Sequence, residues 1–148
     1  MHFIVKSLLI LLSSFVAFSS TAQTSSVASK PYSPYRISHG LVFVSGQIGI
    51  APKTGKLITS SFSAETEQVL TNIREVLRQA GLDFSDVVNV TVYLKSMDLY
   101  AELNTVYTTY FAEPRPARVC IAVQDLPGGA NVEIAVVAGE RTTAAPGK

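Results

Sequence analysis

The chain has 148 residues, and its 12 Lys and Arg nearly match its 11 Asp and Glu, for a formal net charge of +1. That balance argues against nucleic acid or an anionic membrane surface as the natural partner. A single cysteine, Cys120, excludes an intramolecular disulfide, and two histidines with no cysteine cluster leave no zinc-binding set.

Residues 1–6 are short and positively charged, residues 7–18 (SLLILLSSFVAF) are almost wholly apolar, and Ser20-Thr21-Ala22 supplies the small residues a signal peptidase needs. This three-part layout predicts a secretory signal over residues 1–22, cleaved after Ala22. The apolar run is shorter than the about 20 residues of a transmembrane span, which disfavours an uncleaved anchor. The expected destination is the periplasm or the extracellular space. Without residues 1–22, basic and acidic side chains are equal in number. Residues 23–30, rich in Ser, Thr and Ala, read as a loose arm. Residues 31–140 form one domain, long enough to bury about two-thirds of its unfolded surface. Residues 141–148 (RTTAAPGK) are an expected frayed tail.

Residues 36–38 and 41–45 read as strands around the turn His39-Gly40, and Pro52-Lys53-Thr54-Gly55 as a second turn. Residues 63–80 predict a helix, with Val69, Ile73, Val76, Leu77 and Ala80 on one stripe, Ser63 as N-cap, Glu65 and Glu67 near the positive end of the dipole, and Gly81 as the stop. Residues 87–94 (VVNVTVYL) predict a strand. Asp98 is the expected cap of a second helix over residues 99–111, with Leu99, Leu103, Val106 and Tyr110 inward, ended by Pro114 and Pro116. Strands follow over residues 117–123 and 132–138. The fold class is α/β in the α+β sense: one mixed sheet with two helices on one face, in the order β-β-α-β-α-β-β.

Alternation along the strands assigns faces. Val119, Ile121 and Val123 are expected under the helices, with Arg118, Cys120 and Ala122 opposite. Val132, Ile134 and Val136 oppose Glu133, Ala135 and Val137, and Val87, Asn89, Thr91 and Tyr93 share a mixed face. The resulting apolar open face predicts a homo-oligomer.

Arg118, opening a strand, offers a rigid fork for a carboxylate. Glu133 is the single charge in an apolar strand and must be paired, hydrogen-bonded or shifted in pKa, as a proton-transfer group would be. A plain Arg118–Glu133 ion pair is the competing reading. Cys120 shares a face with Arg118, whose charge would lower a thiol pKa. With no partner histidine evident, a small apolar filler is the favoured role. Ser45-Gly46-Gln47 is either an ordinary turn or a set of backbone N–H groups for an anion. Tyr32, Asn104 and Tyr107, taken singly, read as structural. No dinucleotide, phosphate-loop, zincin or serine-elbow motif occurs.

Pro31-Tyr32-Ser33, Leu41-Val42-Phe43-Val44-Ser45-Gly46-Gln47-Ile48, Asn104-x-x-Tyr107, Arg115-Pro116-Ala117-Arg118-Val119-Cys120, Leu126-Pro127 and Val132-Glu133-Ile134 together resemble the reactive intermediate deaminase (RidA, or YjgF) family, from about Pro31 to Ala138. The resemblance implies a chorismate-mutase-like fold, a homotrimer with three clefts between subunits, and no cofactor or metal. It implies hydrolysis of small enamines and imines, such as 2-aminoacrylate, to 2-oxo acids and ammonia. Arg118 would hold the substrate carboxylate and Glu133 would position or activate water. Tyr32, Gly46, Asn104, Tyr107 and the backbone of Cys120 would line the substrate site. The chain departs from the family pattern at Lys30, at Pro34-Tyr35 and at Val119, differences that bear on substrate preference more than on fold. The alternative is a non-catalytic exported trimer that binds small carboxylates or a protein partner at its clefts.

Overall fold

In the computed structural model the described residues are 31–139. The expected signal (1–22), arm (23–30) and tail (141–148), with Glu140, lie outside them. Strands β1 (Tyr35–Ser38) and β2 (Leu41–Ile48) form a hairpin in which Ser38 pairs with Leu41 across a two-residue turn. Both turn residues have positive φ, 51° at His39 and 73° at Gly40. That backbone twist matches the twist of the flanking strands. Pro52–Gly55 is more than a turn: it joins the short strands β3 (Ile50–Ala51) and β4 (Lys56–Leu57) into a separate two-stranded hairpin.

Helix α1 (Phe62–Gln79) buries Val69, Leu70, Ile73, Val76 and Leu77, the predicted stripe with Leu70 added and without Ala80, which is the partly buried C-cap. Its cap is Ser61, not Ser63: the Ser61 hydroxyl accepts the Ala64 N–H at 3.1 Å. Ser63 is drawn away to Glu102, where its N–H and hydroxyl both donate to Oε1, at 3.1 and 2.6 Å. Strand β5 spans Val87–Leu94. Asp98 does not cap the second helix. Ser96 caps a short 3-10 turn (Met97–Leu99) by accepting the Asp98 N–H, and α2 (Tyr100–Tyr110) follows with no side-chain cap of its own. Its fully inward residues are Leu103, Val106 and Tyr107, while Leu99 and Tyr110 are only partly buried against the core. Strands β6 (Ala117–Ala122) and β7 (Val132–Gly139) complete the chain.

The main sheet has the order β1-β2-β7-β5-β6, antiparallel throughout except for the parallel β5–β6 pair. Val42, Val90, Val92, Leu94, Val132, Ile134 and Ala138 are wholly buried in one core with Leu70, Ile73 and Leu77 of α1. Each such Val, Leu or Ile side chain contributes about 2 kcal/mol of apolar burial.

The face assignment of β6 is the reverse of the expectation. Arg118 pairs with Val90 and Cys120 with Val92, so these two lie on the helix side. Val119 and Ile121 turn to the open face, at 48% and 44% exposure. As the edge strand, β6 carries its apolar residues where the helices do not reach. A second correction lies in β5. A register shift between Val87 and Asn89 turns Val87 into the core, and only Asn89, Thr91 and Tyr93 keep the mixed face. The open face does carry an apolar patch, but Leu41, Phe43, Val119 and Ile121 form it in place of the expected Cys120 and Ala122.

Candidate active site

The sheet separates the two leading residues. Arg118 stands on the helix side, and Glu133, paired with Tyr93 in the register that alternates with the buried Ile134, stands on the open side. The alternative of an Arg118–Glu133 ion pair within the chain is therefore overturned, and the ion pairs among the described residues are Lys95–Asp125 and Glu113–Arg115. Each residue instead has its own cleft.

The first cleft, about 230 Å³, is lined by Asn104, Tyr107, Thr108, Arg115, Pro116 and Arg118. One face of α2 presents Tyr100, Asn104 and Tyr107, at a spacing of four and then three residues, toward β6. Arg118 Nη2 donates to Asn104 Oδ1 at 2.8 Å and to the Tyr100 hydroxyl at 3.1 Å. The guanidinium carbon lies 4.5 Å from the Tyr107 ring centre and 5.5 Å from that of Tyr100, within cation–π range. The charged head is thus held through Nη2 and the two rings, while Nε and Nη1 make no hydrogen bond among the described residues. Among the described residues no carboxylate forms an ion pair with it.

Tyr107 is 3% exposed, and its hydroxyl makes no hydrogen bond among the described residues. Burial raises its pKa above the usual value near 10, against the lowering influence of Arg118 and Arg115, so it keeps its proton. A buried, unpaired phenol beside a cleft is a donor awaiting a partner. Cys120 does lie on the face of Arg118, but its thiol pKa is raised, because burial outweighs the nearby cation. The expected lowering does not occur, and a reactive thiolate is disfavoured.

The second cleft, about 310 Å³, is lined by Tyr32, Ser45, Gly46, Ile48, Pro127 and Glu133. Ser45-Gly46-Gln47 is not a terminal turn. It is a bulge inside β2, between the Val44–Val136 and Gln47–Ile134 pairs. The Glu133 carboxylate lies so close over Gly46 that any Cβ there would overlap its Oε1. Ser45 ties the N-terminal stretch across the bulge: its hydroxyl donates to the Ser33 carbonyl at 2.7 Å and its N–H to the Pro34 carbonyl at 3.0 Å. Tyr32 is thereby kept beside Glu133.

The structure thus brings Arg118, Asn104 and Tyr107 together in one group and Tyr32, Gly46 and Glu133 in another, with Cys120 beside the first. Tyr100 was not anticipated from the sequence. Its place four residues before Asn104 on one helical face was the available signal. Among the described residues no three His, Cys, Asp or Glu side chains gather to hold a metal ion.

The family described as Endoribonuclease L-PSP matches residues 23–140. The chain belongs to this RidA family. It is 45% identical to a RutC family protein of Pyrococcus horikoshii over 114 residues, 75% of this chain and 90% of that one. It is 40% identical to the 2-iminobutanoate/2-iminopropanoate deaminase of Bos taurus over 116 residues, 77% of this chain and 85% of that one. Its fold matches the crystal structure of RidA from an Antarctic Psychrobacter with a TM-score of 0.71 at 36% identity, covering 76% and 90% of the two chains. The RidA fold is thus the one read above, a mixed sheet with two helices on one face. The relatives' names support deaminase chemistry for the family.

Proposed function

We propose that this chain is a cofactor-independent hydrolytic deaminase of small, carboxylate-bearing enamines and imines, assembled as a trimer whose sites form between subunits. The observation that carries the reading is the anchored Arg118, which lines a cleft and, among the described residues, has no carboxylate partner and leaves Nε and Nη1 unbonded. The separation of Arg118 from Glu133 by the sheet supports the assembly. In a closed ring, each subunit gives its Arg118 side to one neighbour and its Glu133 side to the other. The apolar open face of Phe43, Val119 and Ile121 is the surface such a ring would cover.

The chemistry follows from these groups. Arg118 binds the substrate carboxylate through charge-assisted hydrogen bonds. Asn104 and Tyr100 fix the guanidinium from behind, and the Tyr107 hydroxyl donates to the bound substrate. An enamine tautomerises to its imine, whose carbon is electrophilic. Water held by Glu133 adds to that carbon, and the amine leaves as ammonia as the carbonyl forms. Glu133 moves the proton between water and nitrogen. Fixing the carboxylate holds the imine carbon beside the water, which removes much of the entropic part of the barrier. Gly46 leaves the Glu133 carboxylate room to stand over β2. The near-neutral charge gives nucleic acid no footprint, and the N-terminal signal directs the chain to the periplasm or beyond.

The test is ammonia and 2-oxo acid release from freshly generated 2-aminoacrylate. The wild type accelerates it and Arg118→Ala does not. An Arg118→Ala rate equal to the wild type's refutes the assignment. Carboxylate binding by calorimetry without turnover would make the protein a binding module.

A further inference from the structure

Helix α1 carries one carboxylate that points inward. Glu65 is 1% exposed, and both its oxygens go to a single residue. Oε1 accepts the Asn131 backbone N–H at 2.8 Å, and Oε2 accepts Asn131 Nδ2 at 2.8 Å. The Asn131 carbonyl accepts the Lys95 N–H at 2.9 Å. Asn131 is thus fixed by backbone donor, backbone acceptor and side chain together, immediately before β7 and two residues before Glu133.

Seven residues along the same face of α1, Asn72 Nδ2 donates to the carbonyls of Ile48 and Ile50, at 3.0 and 2.9 Å. Between them Gly49 packs on Glu65 itself: an added Cβ would stand 2.6 Å from Glu65 Cγ and 3.0 Å from the Glu65 carbonyl oxygen. Ile48 and Pro127 both line the Glu133 cleft. Two polar side chains of α1 therefore hold both rims of that cleft, one through β2 and one through the loop that enters β7.

A buried carboxylate is a poor choice for stability alone, since an apolar residue of similar volume serves a core as well or better. Its use here is positional. Glu133 stands against Gly46 with no room to spare, so a small displacement of residues 131–133 moves the carboxylate off its place. We infer that Glu65 is a positioning residue for Glu133, acting through Asn131 to set where the catalytic carboxylate stands in the cleft. The inference rests on the proposed role of Glu133, and misplacement by about 1 Å costs up to about a hundredfold in rate.

The experiment removes the clamp in the full chain and then restores it without its charge. In Glu65→Leu the Asn131 N–H and Nδ2 lose both acceptors. In Glu65→Gln the amide oxygen still accepts the Asn131 N–H, and the amide NH₂ donates to Asn131 Oδ1 once that side chain turns over. Imine hydrolysis, thermal melting and amide hydrogen exchange over residues 131–134 are measured on both. Expected for Glu65→Leu is a fall in kcat of about tenfold with KM within about twofold, because the Arg118 cleft is untouched. Exchange over residues 131–134 rises, and Glu65→Gln recovers both. A folded Glu65→Leu with wild-type kcat, or a Glu65→Gln that keeps melting temperature and exchange protection but not kcat, overturns the inference. If Glu65→Leu does not fold, Glu65→Gln alone decides by the same kcat criterion. If the wild type does not hydrolyse imines, the functional reading fails instead. The clamp is then judged by exchange, and unchanged exchange in Glu65→Leu refutes it.

Discussion

Two inactive versions of this chain should repair one another. Arg118→Ala removes the carboxylate anchor, and Glu133→Ala removes the group that handles water. Arg118 has Nε and Nη1 left over after Nη2 bonds Asn104 and Tyr100. Two hydrogen bonds from a charged group to a carboxylate contribute about 3–4 kcal/mol together, so Arg118→Ala loses about 10²–10³ in kcat/KM. The two residues stand on opposite faces of one sheet. On the proposed assembly, a complete site takes Arg118 from one chain and Glu133 from its neighbour. When the two variants are unfolded together in equal amounts and refolded, a given interface receives an intact Arg118 about half the time and an intact Glu133 about half the time. About one quarter of the sites are then complete, and about one quarter of wild-type activity returns. The assay is ammonia release from 2-aminoacrylate by the mixed sample against each variant alone. Activity no greater than the sum of the separate variants, in a sample shown to contain mixed oligomers, refutes the shared site.

Tyr100→Phe keeps the ring over Arg118 and deletes its hydrogen-bond acceptor. KM should rise about five- to tenfold with kcat little changed, corresponding to about 1–1.5 kcal/mol for one bond to a charged group. An unchanged KM counts against its role. Ile121→Asp places a charge on the open apolar face, and sedimentation should show the oligomer falling to monomer while the far-ultraviolet dichroism is kept. The Cys120 thiol, raised by burial and lowered by Arg118, holds less thiolate at pH 8 than a free cysteine and should alkylate more slowly. Arg118→Ala removes the lowering influence, so the pKa rises further and alkylation slows again. Faster alkylation in that variant would refute the balance described.

The helices and the central strands were legible because their apolar spacing is strong: Val69, Ile73, Val76 and Leu77 on α1, and Val132, Ile134 and Val136 on β7. The direction of β6 was not. Alternation shows that Val119 and Ile121 share a face, but apolar residues can lie under helices or await another subunit, and the pattern is the same in both cases. The β5 register shift that turns Val87 inward has no mark in the sequence beyond an ordinary run of β-branched residues. The paired grouping of Arg118 with Asn104, and of Glu133 with Gly46, comes from strand register rather than from spacing along the chain. Glu65 reads as a helix-dipole partner near the start of α1. Its bonding to Asn131 spans 66 residues and leaves no local signal.

The placing of Arg118 and Glu133 on opposite faces has a consequence for how activity scales. A lone chain holds both proposed reacting groups and still cannot close them around one substrate, since one sheet cannot turn both faces to the same side. On the proposed assembly, dilution alone switches the catalyst off, with no change in the fold of any subunit. Specific activity becomes a measure of how many chains have found their neighbours, and a freshly released chain is harmless to imines until its concentration passes the threshold for ring closure.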